Sequence, residues 1–192
     1  NANKIHTLLK IDEGSNLGAI RIRLRSLLFV MNHRKMTRVE HTKPYSYHKA
    51  VFTKEDKKTH TILAPEMTPI HFPLFKAAFA HEGYKMELLP HQGQEAIDTG
   101  LSFIHNDACY PAIMSLGQIM TALRSGKYDL NRTSVIISQT GGCCRATNYI
   151  GMLRKALADA NMPQIPIISL NTKGLNEQPG FKPSLGFWHR LL

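Results

Sequence analysis

A chain of 192 residues, 43% hydrophobic and 20% charged, suits one or two folded domains and excludes a wholly disordered or collagen-like polymer. No stretch reaches the roughly 18 apolar residues of a membrane helix, so no span is expected. The net charge of +10 is uneven: residues 1–58 hold 13 basic against 5 acidic residues, residues 59–171 hold 8 of each, and residues 172–192 hold 3 against 1.

Residues 1–16 are polar and irregular. Ser15-Asn16 can cap a helix over 17–36, where Ile20, Leu24, Leu27, Leu28 and Met31 recur at helical spacing among Arg21, Arg25 and Arg34. Residues 37–58, with Pro44, two tyrosines and mixed charges, read as a connector. From residue 59 the pattern alternates. Strands are expected at 61–64, 85–89, 135–138 and 165–170, the last with Pro166 near its start, where a sheet edge tolerates it. Helices are expected at 73–82, 94–104, 111–124 and 147–161. The first of these should turn Leu74, Ala77, Ala78 and Phe79 inward and stop at Gly83.

Alternating strands and helices predict an α/β fold: a mostly parallel sheet with helices on both faces, flavodoxin-like or Rossmann-like, preceded by a basic helical flank. The expected parts are a flank and connector over 1–58, the α/β domain over 59–171, and an exit segment over 172–192. The opening Asn1-Ala2 and the apolar end Phe187-Trp188-His189-Arg190-Leu191-Leu192 point to a piece of a longer protein.

The charge lies mainly on the first flank. A DNA-reading domain carries its charge on the folded face, so nucleic acid is not the expected partner. A basic flank equally suits docking an acidic protein partner, which is the alternative to an enzymatic role. Three cysteines, two of them adjacent, form no disulfide framework; reduced thiols in a cytoplasmic protein fit better.

In an open parallel sheet, function collects at the carboxyl ends of the strands. Three unusual segments fall there: Pro65-Glu66-Met67-Thr68-Pro69, Asn106-Asp107-Ala108-Cys109-Tyr110-Pro111, and Gln139-Thr140-Gly141-Gly142-Cys143-Cys144-Arg145. Pro111 is a natural first helical residue, so Cys109 belongs at a helix N-terminus, where amides and dipole favour a thiolate. Gly141 and Gly142 make a tight turn that delivers Cys143 and Cys144 to the next helix start, beside Arg145. Thiolates at neighbouring strand ends suit a soft metal or an iron–sulfur cluster. Cys109 and Cys144 should then share one edge of the sheet and one cleft, with Arg145 close enough to balance charge.

Plainer readings stand beside these. A free cysteine is ordinarily a small buried hydrophobe. The glycine turn could hold a phosphate, although it lacks the P-loop and dinucleotide spacings. Cys109 could act as a nucleophile, but no His–Asp pair stands at a suggestive spacing. Glu66, beside a strand end, is a candidate acid or an ordinary loop carboxylate. The ten histidines are scattered, and only His105, near Cys109, is placed for a supporting role.

The two cysteine segments, the second extended to Ser138-Gln139-Thr140-Gly141-Gly142-Cys143-Cys144-Arg145-Ala146-Thr147-Asn148-Tyr149, resemble the 2-hydroxyacyl-CoA dehydratase superfamily. The nearest likeness is to the dehydratase-like part of large multidomain activase-related proteins, which Gly18-Ala19-Ile20-Arg21-Ile22-Arg23-Leu24-Arg25-Ser26-Leu27 also resembles. The resemblance covers most of residues 14–171. It implies an α/β unit holding part of a four-iron four-sulfur cluster, reduced by ATPase activator-like modules for low-potential chemistry on an acyl-CoA or another small substrate. It carries the ligand role onto Cys109 and Cys144. At Cys143 the family pattern has Gly, so the third ligand is either Cys143 or a cysteine beyond residue 192.

Overall fold

The computed structural model describes residues 5, 7, 9, 17–36, 48–90, 93–171 and 174–184. The chain divides into two compact units, residues 1–46 and 47–192. The first contains helix α1 (Leu17–Met36), a 20-residue helix in which no residue is buried. The proposed Ser15-Asn16 cap lies outside the described residues.

The second unit contains α2 (Asp56–Thr59), β1 (Thr61–Pro65), α3 (His71–His81), β2 (Lys85–Leu89), α4 (Gly93–Phe103), α5 (Tyr110–Arg124), β3 (Thr133–Ser138), α6 (Tyr149–Asp159) and β4 (Ile167–Leu170). Short 3-10 turns at Leu130–Arg132 and Arg145–Asn148 precede β3 and α6. The four strands form one sheet, ordered β2-β1-β3-β4, and every pairing is parallel. This is the flavodoxin-like order through its first four strands. The expected α/β fold is thus observed.

Strand alternation sorts the core into two layers. Leu63, Val135, Ile137 and Ile167 face one side, with Leu116, Ile119 and Met120 of α5 and Ile150 and Leu153 of α6. Ile62, Ala64, Ile136 and Ile168 face the other, with Phe79 of α3, Phe52 and Tyr84. Both faces of a parallel sheet are covered, so its strands read as nearly continuous apolar runs.

The inward side of α3 differs from the expected one. Leu74 is 59% exposed and Ala77 is also exposed; Phe72, Phe75, Ala78 and Phe79 turn inward. The cause is aromatic packing: Phe79 stacks with Phe75 and meets Tyr84 edge-on, and Phe181 closes on both Phe79 and Tyr84. Gly83 does end the helix, at φ 81°, with Tyr84 N donating to Phe79 O at 2.9 Å.

The folded unit reaches beyond residues 59–171 on both sides. Phe52 is fully buried. Its amide donates to Gln178 Oε1 at 3.0 Å, and its carbonyl accepts from Gly180 N at 2.8 Å. Gln178 Nε2 donates to Ile167 O at 2.8 Å, meeting a carbonyl of edge strand β4. Residues 174–184 therefore fold back on the sheet rather than leaving it.

Candidate functional site

The strand order reverses direction between β1 and β3: from β1 the chain moves to β2 on one side, and from β3 to β4 on the other. Loops at the carboxyl ends of such neighbouring strands diverge and leave a crevice, the usual ligand position of this fold. Here the crevice is bounded by the segments after Pro65 and Ser138. They touch directly: Ser138 Oγ donates to Met67 Sδ at 3.4 Å. Glu66 N donates to Oε1 of the buried Gln118 on α5, at 3.1 Å. The Glu66 backbone thus ties β1 to α5, while its side chain stands half-buried at the crevice.

Cys109 is the N-cap of α5, in extended conformation (φ −64°, ψ 145°), with Pro in the first helical turn. Its carbonyl accepts from Ala112 N and Ile113 N, so α5 begins at once behind it. Cys144 occupies the same kind of position (φ −66°, ψ 143°) before the Arg145–Asn148 turn that leads into α6, and its carbonyl accepts from Thr147 N. Neither cap makes a side-chain hydrogen bond to the helix behind it, which leaves both thiols available to something else.

Two contacts join these cysteine segments. Arg145 Nη1 donates to Asp107 O at 2.9 Å, bridging the loop before α5 to the loop after β3. Tyr149, 3% exposed, brings its hydroxyl to 3.5 Å from Cys109 Sγ, with either group able to donate. Burial pushes the Tyr149 phenol well above its ordinary range, and the Cys109 hydrogen bond and the negative charge of Cys109 and Cys144 push it further. Cys109 is thus the thiol that meets this buried hydroxyl. Cys109 is half-buried against the core; Cys143 and Cys144 are exposed.

The glycine turn divides its duties. Gly141 has φ 68°, which only glycine adopts without strain. Gly142 has no such requirement, and a Cβ there would meet nothing within 4 Å. The turn is held by Thr147 Oγ1, which donates to Gly142 O at 2.7 Å. Gln139 anchors its base: Nε2 donates to Thr147 O at 2.7 Å, and Oε1 accepts from Ser169 Oγ at 2.8 Å and Asn176 Nδ2 at 3.1 Å.

The structure thus brings Cys109, Cys144 and Arg145 into adjoining segments, with Gly141 and Gly142 forming the turn before them. His105 is at the margin: its side chain is 74% exposed, and its Nδ1 accepts from Asp107 N at 3.1 Å. It shapes the loop that receives Arg145. Gln139 and Tyr149 stand in the segments quoted from the sequence without a role of their own, and Gln118 stands outside them. A Tyr at the start of α6, one turn after Cys144, was the available signal for Tyr149. A cavity of about 730 Å³ lies elsewhere, along β4 and the 174–183 segment, lined by Ser169, Asn171, Gln178, Phe181 and Lys182 among others; no cysteine lines it.

No family model, no curated protein and no solved structure matches this chain. Among the described residues no helix is long and apolar enough to cross a membrane. Nor do three or more His, Cys, Asp or Glu side chains gather among them as a metal site needs. A four-iron cluster takes four thiolates. The donor set here fits part of that: two thiols at helix-start caps, a guanidinium beside them, and a third exposed thiol. A closed site needs donors from outside this chain.

Proposed function

We propose that this chain is the cluster-holding α/β unit of an iron–sulfur protein of the 2-hydroxyacyl-CoA dehydratase type. Cys109 and Cys144 serve as ligands to a four-iron four-sulfur cluster, and Cys143 or external thiolates complete the coordination. The observation that carries the reading is the pair of cysteine caps whose segments the Arg145–Asp107 bond joins, with the Tyr149 hydroxyl against Cys109. Such a cluster, when bound, supplies one-electron chemistry at low potential.

The chain's own part is to hold and tune. Caps on successive helical segments fix the thiol positions through backbone hydrogen bonds instead of flexible side chains. Arg145, next to Cys144 in the chain, supplies positive charge beside the cysteine segments. The buried Tyr149 hydroxyl donates to Cys109 when that thiol is ionised, the kind of support that adjusts ligand basicity. Partner modules delivering the electron, and an acyl-CoA or other small substrate, belong to the same proposal.

Anaerobic reconstitution with ferrous iron, sulfide and an exogenous thiol tests it. Iron per chain and visible charge-transfer absorption should fall by more than half in Cys109→Ala and in Cys144→Ala. Cys143→Ala should retain most of the iron if external thiols serve as well. Equal iron content in wild type, Cys109→Ala and Cys144→Ala would sink the assignment.

A further inference from the structure

Arg154, in the middle of α6, is a half-buried cation without a counter-ion among the described residues. Burial pushes its pKa below the ordinary arginine value, with no carboxylate acting against the shift. A lysine can answer burial by shedding its proton, but an arginine keeps its charge. A charge held out of water needs partners. The acids nearby serve elsewhere: Asp159 pairs with Lys155, and the Glu177 carboxylate stands against Gly174.

A long basic side chain often buries its stem and leaves its head in water. Here the head is tied inward. Arg154 Nη2 donates to Asn176 Oδ1 at 2.9 Å, and Asn176 Nδ2 donates to Gln139 Oε1 at 3.1 Å. Gln139 is itself buried, and it is held by Thr147 O and Ser169 Oγ. Asn176 keeps φ 52°, a backbone region in which Asn is among the few side chains enriched. Gln139 follows β3 and Ser169 lies on β4, so the guanidinium sits by the carboxyl ends of these strands, where an open parallel sheet takes its ligands. This is not the cysteine site. Tyr149, which meets Cys109, lies about 140° from Arg154 around α6.

The donors that remain have a definite shape. Nη2 carries one hydrogen on each two-donor edge of the guanidinium, one edge shared with Nε and the other with Nη1. Asn176 takes one of these hydrogens, so the other edge keeps both donors, with no acceptor among the described residues. We infer that this edge of Arg154 binds the carboxylate of a small organic acid at the carboxyl ends of β3 and β4. Two parallel N–H···O bonds to a carboxylate are the pairing that the guanidinium fork matches. Charge selects among oxyanions. The groups bonded around Arg154 are neutral amides, so one guanidinium balances one negative charge, and a phosphate dianion would leave a surplus in a half-desolvated place. Because the head is half-buried, a small molecule reaches it more readily than a flat protein surface does. The site stands apart from the proposed cluster, and neither depends on the other.

Acetate is the probe, with acetamide as its neutral isostere and inorganic phosphate as the rival oxyanion. In nitrogen-edited NMR of the whole chain, the Arg154 Nε–Hε resonance is the one missing from Arg154→Lys. Acetate should shift it saturably, together with the backbone amides of Gln139 and Asn176, at a midpoint at least about tenfold lower than acetamide or phosphate. In Arg154→Lys, which keeps the charge without the fork, and in Arg154→Gln, the amide shifts should need at least about tenfold more acetate. Asn176→Asp, which offers the guanidinium a carboxylate from within the chain, should weaken acetate as much. Lys155→Gln, next along the helix and exposed, should bind like wild type. Amide dispersion reports folding, and should Arg154→Gln unfold, Arg154→Lys and Asn176→Asp decide the matter. The inference is overturned if acetate gives no saturable shift, if acetamide or phosphate binds as tightly as acetate, or if Arg154→Lys and Asn176→Asp bind acetate like wild type.

Discussion

Replacing Gly117 by alanine should destabilise the α/β unit, although the substitution favours helix. Gly117 of α5 faces Ala96 and Gly100 of α4, and Gly100 in turn faces Ile113 of α5, so the two helices meet backbone to backbone. A Cβ on Gly117 would lie 2.7 Å from Ala96 C and 3.1 Å from Gly100 N, and closer still to Ala96 O. Ordinary contact begins near 3.4 Å, so the contact to Ala96 O alone requires α4 and α5 to part by more than about 1 Å. Neither side can give easily. Ala96 and Leu116 are fully buried, and the obstructing atoms are main chain, not the end of a flexible side chain. A gap of this size forfeits roughly half or more of the dispersion attraction across the interface. Because the obstruction is main chain, the upper end of the overpacking range applies, about 3 kcal/mol, against roughly 1 kcal/mol gained from alanine's helix propensity. The net expectation is a loss of about 2 kcal/mol. With a urea slope of about 1–3 kcal/mol per molar, the midpoint should fall by roughly 1 M in a circular-dichroism titration. Gly100→Ala, whose Cβ would lie 3.0 Å from Ile113 C, should behave alike. A Gly117→Ala midpoint at or above wild type would mean that propensity alone governs the site and that the close approach is not real. The consequence reaches the candidate site, because α5 carries Cys109 at its start.

The glycine turn offers a contrast within two residues. Gly141→Ala should cost about 1–2 kcal/mol from its positive φ, whereas Gly142→Ala should change the thermal midpoint by less than about 2 °C. Ser134→Ala should cost about 1–3 kcal/mol by stripping the buried His60 of a hydrogen-bond partner, read as a lowered urea midpoint. Burial first, then the Cys109 hydrogen bond, raises the Tyr149 phenol, and burial raises that of Tyr84. A raised folded value means stability intact below the unfolded phenol value of about 10 and lost as pH climbs above it, so melting points should fall above about pH 10, less steeply in Tyr149→Phe.

Element types were legible because the strands are buried on both faces and the helices repeat at their own period. Val135 to Ile137 could hardly be anything but a central strand, and Pro166, just before edge strand β4, offers β3 only its carbonyl, which accepts from Val135 N at 3.0 Å. What escaped depends on partners far apart in sequence. Residues 37–58 read as connector, yet Asp56–Thr59 is helical, with Thr53 N donating to Asp56 Oδ2 at 2.7 Å. Nothing local marks Phe52 as core; Gln178 and Gly180, more than 120 residues away, make it so. Leu74 and Ala77 fit an apolar side of α3 as well as Phe72 and Phe75 do, until Phe181 and Tyr84 choose the aromatic side. At the candidate site, the caps at Cys109 and Cys144 were legible from Pro111 and the glycine turn. The Tyr149 hydroxyl was not, since its partner lies 40 residues earlier on another segment.

The sheet's two ends hold two polar clusters that differ in their access to solvent. At the amino end, His60 Nδ1 stands 2.7 Å from Ser134 Oγ, and His60 Nε2 stands 3.3 Å from Asp56 Oδ1. A hydroxyl, an imidazole and a carboxylate in series resemble a nucleophile with its base and orienting acid. Burial argues otherwise. Ser134 is wholly inaccessible, paired beside Ile62 in the middle of the sheet, so no substrate carbonyl can reach its hydroxyl. The series is better understood as a pin that fastens α2 to β3 while satisfying two buried polar groups. At the carboxyl end the balance is reversed: the half-buried Cys109 and the exposed Cys144 stand at helix-start caps, and Gln139 fixes from behind the backbone of the segment that carries Cys144. The two clusters should therefore separate cleanly on substitution. Ser134→Ala should lower stability and leave iron uptake per folded chain at the wild-type level, because its effect is confined to the pin. Cys109→Ala should lower iron uptake per folded chain, a ratio that its own loss of stability, from a Tyr149 hydroxyl deprived of that partner, does not enter. A Ser134→Ala chain that folds but takes up no iron would place the chemistry at the wrong end of the sheet.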